Sequence, residues 1–141
     1  MRNSVLAGLA CAVVSLAARA AVAQSASDPC FAGAAFSTDV RVADCTRWIQ
    51  SGQLSADNLG VAYFNRGIAY EDAHDAARAI ADYNHAIRIE PSAGRYKNRG
   101  NAYEDTGDFD RAVDDFSHVI QLTPGDAGAW YDRGNAYQDG L

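Results

Sequence analysis

The sequence predicts an all-α fold, an α-solenoid built from helix-turn-helix repeats, on three observations. The segment Tyr63-x-Asn65-Arg66-Gly67-x-Ala69-Tyr70-Glu71-Asp72 returns thirty-three residues later as Tyr96-x-Asn98-Arg99-Gly100-x-Ala102-Tyr103-Glu104-Asp105, and a third copy follows as Trp130-x-Asp132-Arg133-Gly134-x-Ala136-Tyr137-x-Asp139. Independent columns keep the same register: glycines at 67, 100 and 134, alanines at 79 and 112, aromatics at 83 and 116, prolines at 91 and 124. Within a unit, apolar and small residues recur at helical spacing rather than in strand alternation, as at Tyr63, Gly67 and Tyr70, then Ala76, Ala79, Ile80, Tyr83, Ala86 and Ile87. Self-similarity of this period marks stacked supersecondary units, and such arrays usually work by displaying a surface.

Taken in order, the chain opens on a targeting segment. After Met1-Arg2-Asn3, the run from Val5 to Ala18 is apolar or small and uncharged, and Ala21-Val22-Ala23 supplies a small-x-small cleavage pattern. Fourteen such residues are fewer than the roughly 20 needed to span a bilayer. Residues 1–23 are therefore expected to be a cleaved secretory signal, with an uncleaved anchor as one alternative and lipidation at Cys11 as another. Cleavage would leave ten basic and eighteen acidic residues, a net charge of −8. The mature chain is then expected beyond the inner membrane, in the periplasm, with no stable membrane insertion. Cleavage also removes Cys11 and leaves Cys30 and Cys45, an even pair that an oxidising compartment permits to form a disulfide.

Residues 24–57 read as an N-terminal segment with a degenerate capping helix at 38–51, because Asp44-Cys45-x-x-Trp48-Ile49 lines up with Asp82-Tyr83-x-x-Ala86-Ile87 and Asp115-Phe116-x-x-Val119-Ile120. Ser51-Gly52 ends it. A repeat domain then covers 58–141, with units at about 60–92 and 93–126 and a partial one at 127–141. Its helices are predicted at 58–73, 75–89, 93–106, 109–122 and 126–139. Gly107 followed by Asp108 supplies a C-terminal stop and then an N-cap, and Asp75 takes the same capping place in the first unit. His74 stands where the second unit has Gly107, so a left-handed turn there would strain the first hairpin by about 1 kcal/mol. Pro91 and Pro124 end the second helices, because proline disfavours a helical residue before it. Ser92 and Asp126 are candidate caps for the helices that follow. The third unit reaches Leu141 without a second helix. Apolar surface is accordingly expected around Trp130, Tyr131, Ala136, Tyr137 and Leu141, inviting self-association through the C-terminal helix or marking a truncated frame.

These residues resemble the tetratricopeptide repeat. Its aromatic, Gly-x-x-Tyr, alanine, second aromatic and closing proline are matched by Tyr63, Gly67, Tyr70, Ala79, Tyr83 and Pro91, and by Tyr96, Gly100, Tyr103, Ala112, Phe116 and Pro124. One departure is systematic: the family often has leucine just before the glycine, and here Arg66, Arg99 and Arg133 hold that place. The resemblance covers about residues 58 to 141. It implies a right-handed α-solenoid that binds proteins or peptides, without naming the partner.

Catalytic chemistry is sparse. His85 and His118 share a column, as a structural surface position would, and metal-ligand spacing is absent. Ser117 lies beside His118, but adjacent helix positions diverge and no orienting acid is implied. No catalytic residue, metal or cofactor is expected. An acidic chain with a net charge of −6 is no nucleic-acid binder by bulk charge. The recurring arginines read as framework contacts, with Asp82 and Asp115 as partners.

By the resemblance, the first helices line a concave groove. Its lining would be Phe64, Asn65, Ile68, Glu71 and Asp72, then Lys97, Asn98, Asn101, Glu104 and Asp105, then Tyr131, Asp132, Asn135, Gln138 and Asp139. Lys97 and Asn101 match part of the carboxylate clamp with which some family members hold a peptide C-terminus. Asp132 stands where an asparagine is expected, and further cations are missing, which argues against a clamp. The leading expectation is a non-enzymatic interaction module or scaffold of the bacterial cell envelope that takes a basic or amide-rich partner segment. A structural subunit of a larger assembly is the alternative, and a small-ligand binder or enzyme a more distant one.

Overall fold

A computed structural model describes residues 28–141. The signal reading of residues 1–23, and with it Cys11, lies outside the described residues. Six α-helices follow one another: α1 (Thr38–Ser51), α2 (Ala56–Asp72), α3 (Ala76–Ile89), α4 (Ala93–Asp105), α5 (Phe109–Leu122) and α6 (Ala127–Asp139). A single 3-10 turn, Gly33–Ala35, precedes them, and there is no strand among the described residues. The limits of α1 and α5 coincide with those predicted. Those of α2 move most, because Ser55 rather than a later residue is its cap and accepts a hydrogen bond from the Asn58 amide.

Each helix packs on the next, and α2 also touches α4, so α2, α4 and α6 form one layer and α1, α3 and α5 the other. The repeat glycines permit this closeness. A Cβ on Gly67 would lie 2.6 Å from the Tyr83 ring, and one on Gly100 would lie 2.8 Å from Phe116. The ring of each second helix thus sits directly on the backbone of its first. Ala79, Tyr83 and Ala102 form one buried cluster, Tyr103, Ala112, Val113, Phe116 and Ala136 another, and the core runs on between units.

The hairpin turns behave as their sequences require. His74 has φ 58° and Gly107 has φ 74°, both left-handed, and the Asp75 and Asp108 amides bond back to the Tyr70 and Tyr103 carbonyls. Asp75, Asp108 and Asp126 then cap α3, α5 and α6 through their side chains. Ser92 occupies the capping position of α4 but makes no side-chain cap bond.

The N-terminal segment packs against α1 and reaches α2. Cys30 and Cys45 are joined by a disulfide with their Cα atoms 4.7 Å apart, and both are fully buried. Asp28 accepts a 2.7 Å hydrogen bond from the Trp48 indole, and Phe31 meets the same ring edge-on. Burial first, and then the neighbouring Asp44 carboxyl, hold Asp28 above the usual carboxylate range.

Candidate functional site

The first helices carry the predicted lining, and their packing decides which of those side chains face a partner. At the N-terminal end the groove is closed by the chain itself. The Asn65 amide donates to the Cys30 carbonyl at 2.8 Å, and Asp72 pairs with the buried Arg41 of α1 at 2.6 Å. Phe64 and Ile68 are absorbed into the core against Tyr83 and Ala79. Phe64, Asn65 and Ile68 are therefore turned largely toward the protein, while Asp72, though paired, stays half exposed.

At the centre, the Tyr83 hydroxyl donates to Glu71 at 2.6 Å, and the Asn98 side chain hydrogen-bonds the same phenol. Burial foremost, and then Glu71, push that phenol far above its ordinary range. It remains a donor, and it aims a carboxylate and an amide at one place. Lys97 is the one cation among the lining residues, and it pairs with Asp132 of α6 at 3.5 Å. Its charge is thereby offset by the residue standing where a clamp would need an asparagine.

The second half of the groove is an acidic field. Burial first, and then the charges of Asp132, Asp139 and Asp105, push the Glu104 carboxyl above the usual glutamate range. Asn101 and Asn135 are half-buried beside it and have no side-chain partner among the described residues, while Asp105, Gln138 and Tyr131 are exposed. This half offers free amides and close-set carboxylates. No group of three or more metal-ligating side chains occurs among the described residues.

The arginine column proves to be framework, and it reaches farther than the sequence suggested. Arg66 gives both Nε and Nη2 to Asp82, at 2.7 and 2.8 Å, and its Nη1 to Thr46 of α1. Arg99 repeats this with Asp115 and with Asn84 of α3. Each guanidinium also lies over two tyrosine rings, Tyr63 and Tyr70 for Arg66, Tyr96 and Tyr103 for Arg99. The backward contacts to Thr46 and Asn84 were missed. Their signal was present, since Thr46, Asn84 and Ser117 each stand two residues after the acid or its equivalent. His85 and His118 stack on Tyr63 and Tyr96 as matching surface pairs. Ser117 donates to the Val113 carbonyl and accepts from Arg133, so its hydroxyl is occupied.

Comparison with known proteins agrees with this geometry. A profile described as tetratricopeptide repeat matches residues 60–93, and one described as TPR repeat matches residues 100–140. The chain belongs to the tetratricopeptide-repeat family. No curated protein matches it significantly. Among solved structures, the first TPR of Spaghetti (RPAP3) bound to the HSP90 peptide SRMEEVD is similar at TM-score 0.64 and 22% identity, over 72% of this chain and 78% of that one. The MamA protein is similar at TM-score 0.65 and 23% identity, over 72% of this chain and 54% of that one. The second TPR domain of human RPAP3 in complex with the HSP70 peptide SGPTIEEVD is similar at TM-score 0.63 and 24% identity, over 71% and 81%. At these identities the shared feature is the tetratricopeptide solenoid. Domains of this family generally mediate protein–protein interaction.

Proposed function

We propose that this tetratricopeptide array is a non-enzymatic interaction module that holds an extended or helical partner segment in the groove of α2, α4 and α6. The partner side chains facing it are basic or amide-bearing. The observation that carries this reading is the field of Glu104, Asp105, Asp132 and Asp139 beside the unpartnered amides of Asn101 and Asn135. An asparagine amide both donates and accepts, which suits a peptide backbone. The peptides in the RPAP3 complexes end in Glu-Glu-Val-Asp. A ligand of that charge would meet repulsion here, because Asp132 offsets Lys97 and none of the other predicted lining residues is a cation. The same grounds as before favour export to a bacterial cell envelope, namely the apolar N-terminal run and the paired Cys30 and Cys45.

The test is titration of the chain with a labelled lysine- and asparagine-rich peptide and with its glutamate-rich counterpart, read by fluorescence anisotropy. The basic peptide should bind more tightly. Asn98→Ala with Asn101→Ala, and separately Glu104→Lys with Asp105→Lys, should weaken it without loss of helicity. The same charge change at Asp110 and Asp114, exposed on α5, should not. Equal affinity for both peptides, or equal effects at both faces, would overturn the groove reading.

A further inference from the structure

Tyr83 and Phe116 hold the same column of successive units, and their rings lie alike on the helices before them. A Cβ on Gly67 would meet Tyr83 Cζ at 3.2 Å, and one on Gly100 would meet Phe116 Cζ at 3.1 Å. The para position of each ring therefore reaches the same place in its unit, between two neighbouring first helices. In the first unit that place holds a donor. The Tyr83 hydroxyl donates to Glu71 of α2 at 2.6 Å and is hydrogen-bonded by Asn98 of α4. In the second unit the matching residues are Glu104 of α4 and Asp132 of α6, both acceptors when ionised, and Phe116 brings no hydroxyl. Glu104 has no side-chain partner among the described residues, and the charges that act on it are all negative. Lys97 meets Asp132 at the N-terminal end of α6, where its Nζ would lie 3.4 Å from a Cβ on Gly128.

We propose that Phe116 sets the specificity of the groove, by leaving between Glu104 and Asp132 a place that a lysine side chain of the partner fills with its ammonium group. This rests on the groove being the binding face, and it adds which cation that face takes. The first unit displays the chemistry of the place, since a compact donor there is held by the carboxylate of one first helix and the matching residue of the next. An ammonium is the compact donor that carries charge. It offers three N–H groups to the two carboxylates in front of the ring edge, and it offsets their mutual repulsion. A guanidinium presents a planar fork, which suits one carboxylate face on and not two that flank a ring. Lysine is therefore favoured over arginine, a distinction that a diffuse acidic field does not make.

The experiment follows the anisotropy of a labelled asparagine- and serine-rich peptide with blocked ends and one central lysine, beside versions in which that lysine is acetylated or replaced by arginine. The lysine peptide is expected to bind the unaltered chain most tightly. The acetylated one should bind about tenfold more weakly, the worth of a hydrogen bond to a charged group. Phe116→Tyr supplies the hydroxyl without changing any charge. It should bring the lysine peptide down to the affinity of the acetylated one, and it should raise the thermal midpoint because Glu104 gains a donor. Equal binding of the lysine and arginine peptides, or full affinity for the lysine peptide after Phe116→Tyr, would overturn the proposal. If Glu104→Lys with Asp105→Lys still weakens that peptide, the groove reading stands and only the role of Phe116 falls; if no lysine peptide binds, both fall. Should circular dichroism show that Phe116→Tyr does not fold, the peptide series on the unaltered chain decides alone.

Discussion

Arg99 grips Asp115 through Nε and Nη2 at 2.8 and 2.6 Å, and one hydrogen bond from Nη1 to Asn84 ties that pair to the previous repeat. The carboxylate is buried and the guanidinium largely so, which makes the pair intolerant of losing one member. Asp115→Ala is expected to cost about 3 kcal/mol by leaving the guanidinium unpaired in the interior. The thermal midpoint should fall by about 10 °C or more. Adding Arg99→Leu, the residue common in the family at this place, should recover most of that loss. Urea denaturation of the two variants measures both, and a single variant as stable as the wild type would show the pair to be idle.

The glycines give a sharper contrast, because the same change has opposite signs at equivalent positions. Gly67→Ala or Gly100→Ala forces a methyl against the Tyr83 or Phe116 ring at 2.6 to 2.8 Å. Overpacking of this kind costs about 1–3 kcal/mol, against a helix-propensity gain of about 1 kcal/mol. Gly134→Ala meets nothing and keeps only the gain. The first two should lower the denaturation midpoint and the third should raise it.

His74 holds a left-handed turn in which Gly107 serves in the next unit. His74→Gly should therefore stabilise the fold by about 0.5–1 kcal/mol, the relieved steric strain exceeding the added freedom of the unfolded chain. Loss of stability on that substitution would mean that the imidazole makes a contact worth more than the strain.

The Cys30–Cys45 bond closes a loop for which the entropy of the unfolded chain gives roughly 3 kcal/mol. Reduction should lower the urea midpoint accordingly and free the N-terminal segment. In a Trp130→Phe background the remaining indole reports this directly, since Trp48 holds Asp28 and Phe31. Unchanged Trp48 emission after reduction, or two free thiols by mass spectrometry of the non-reduced protein, would count against the bond.

Much of this architecture was legible because it is periodic. The repeat fixed the helices, the capping acids, the strained turn at His74 and the arginine–aspartate pairs, since each recurs in a column where one copy checks another. The segment around Gly33–Ala35 occurs once and has no period, so nothing announced that the Cys30 carbonyl would take the Asn65 amide. The engagement of the predicted lining residues was not legible. Which lining residues are spent on Arg41, Cys30 or Lys97 depends on how neighbouring helices approach, a tertiary distance that spacing along one helix does not encode.

Glu104 gives the groove a dependence on pH that separates binding from folding. Its carboxyl is raised by burial and by Asp132, Asp139 and Asp105, so the folded chain favours the protonated form more than the unfolded chain does. The stability associated with this group is thus fully present below the unfolded value and is lost as pH rises through the folded one. Binding of a cationic side chain runs the other way, because it needs the carboxylate. Affinity for a basic segment should therefore fall as pH drops below the raised Glu104 value, while the contribution of Glu104 itself to folding grows. Added salt should weaken the same interaction by slowing association, as the field is screened over a Debye length of about 8 Å at physiological ionic strength. Glu104→Gln should flatten both responses. The measurement is anisotropy of the labelled basic peptide from pH 4 to 8 at two salt concentrations, set beside thermal unfolding of the free chain. If affinity for the basic peptide does not fall with pH, or if Glu104→Gln leaves both profiles unchanged, the acidic field takes no part in binding.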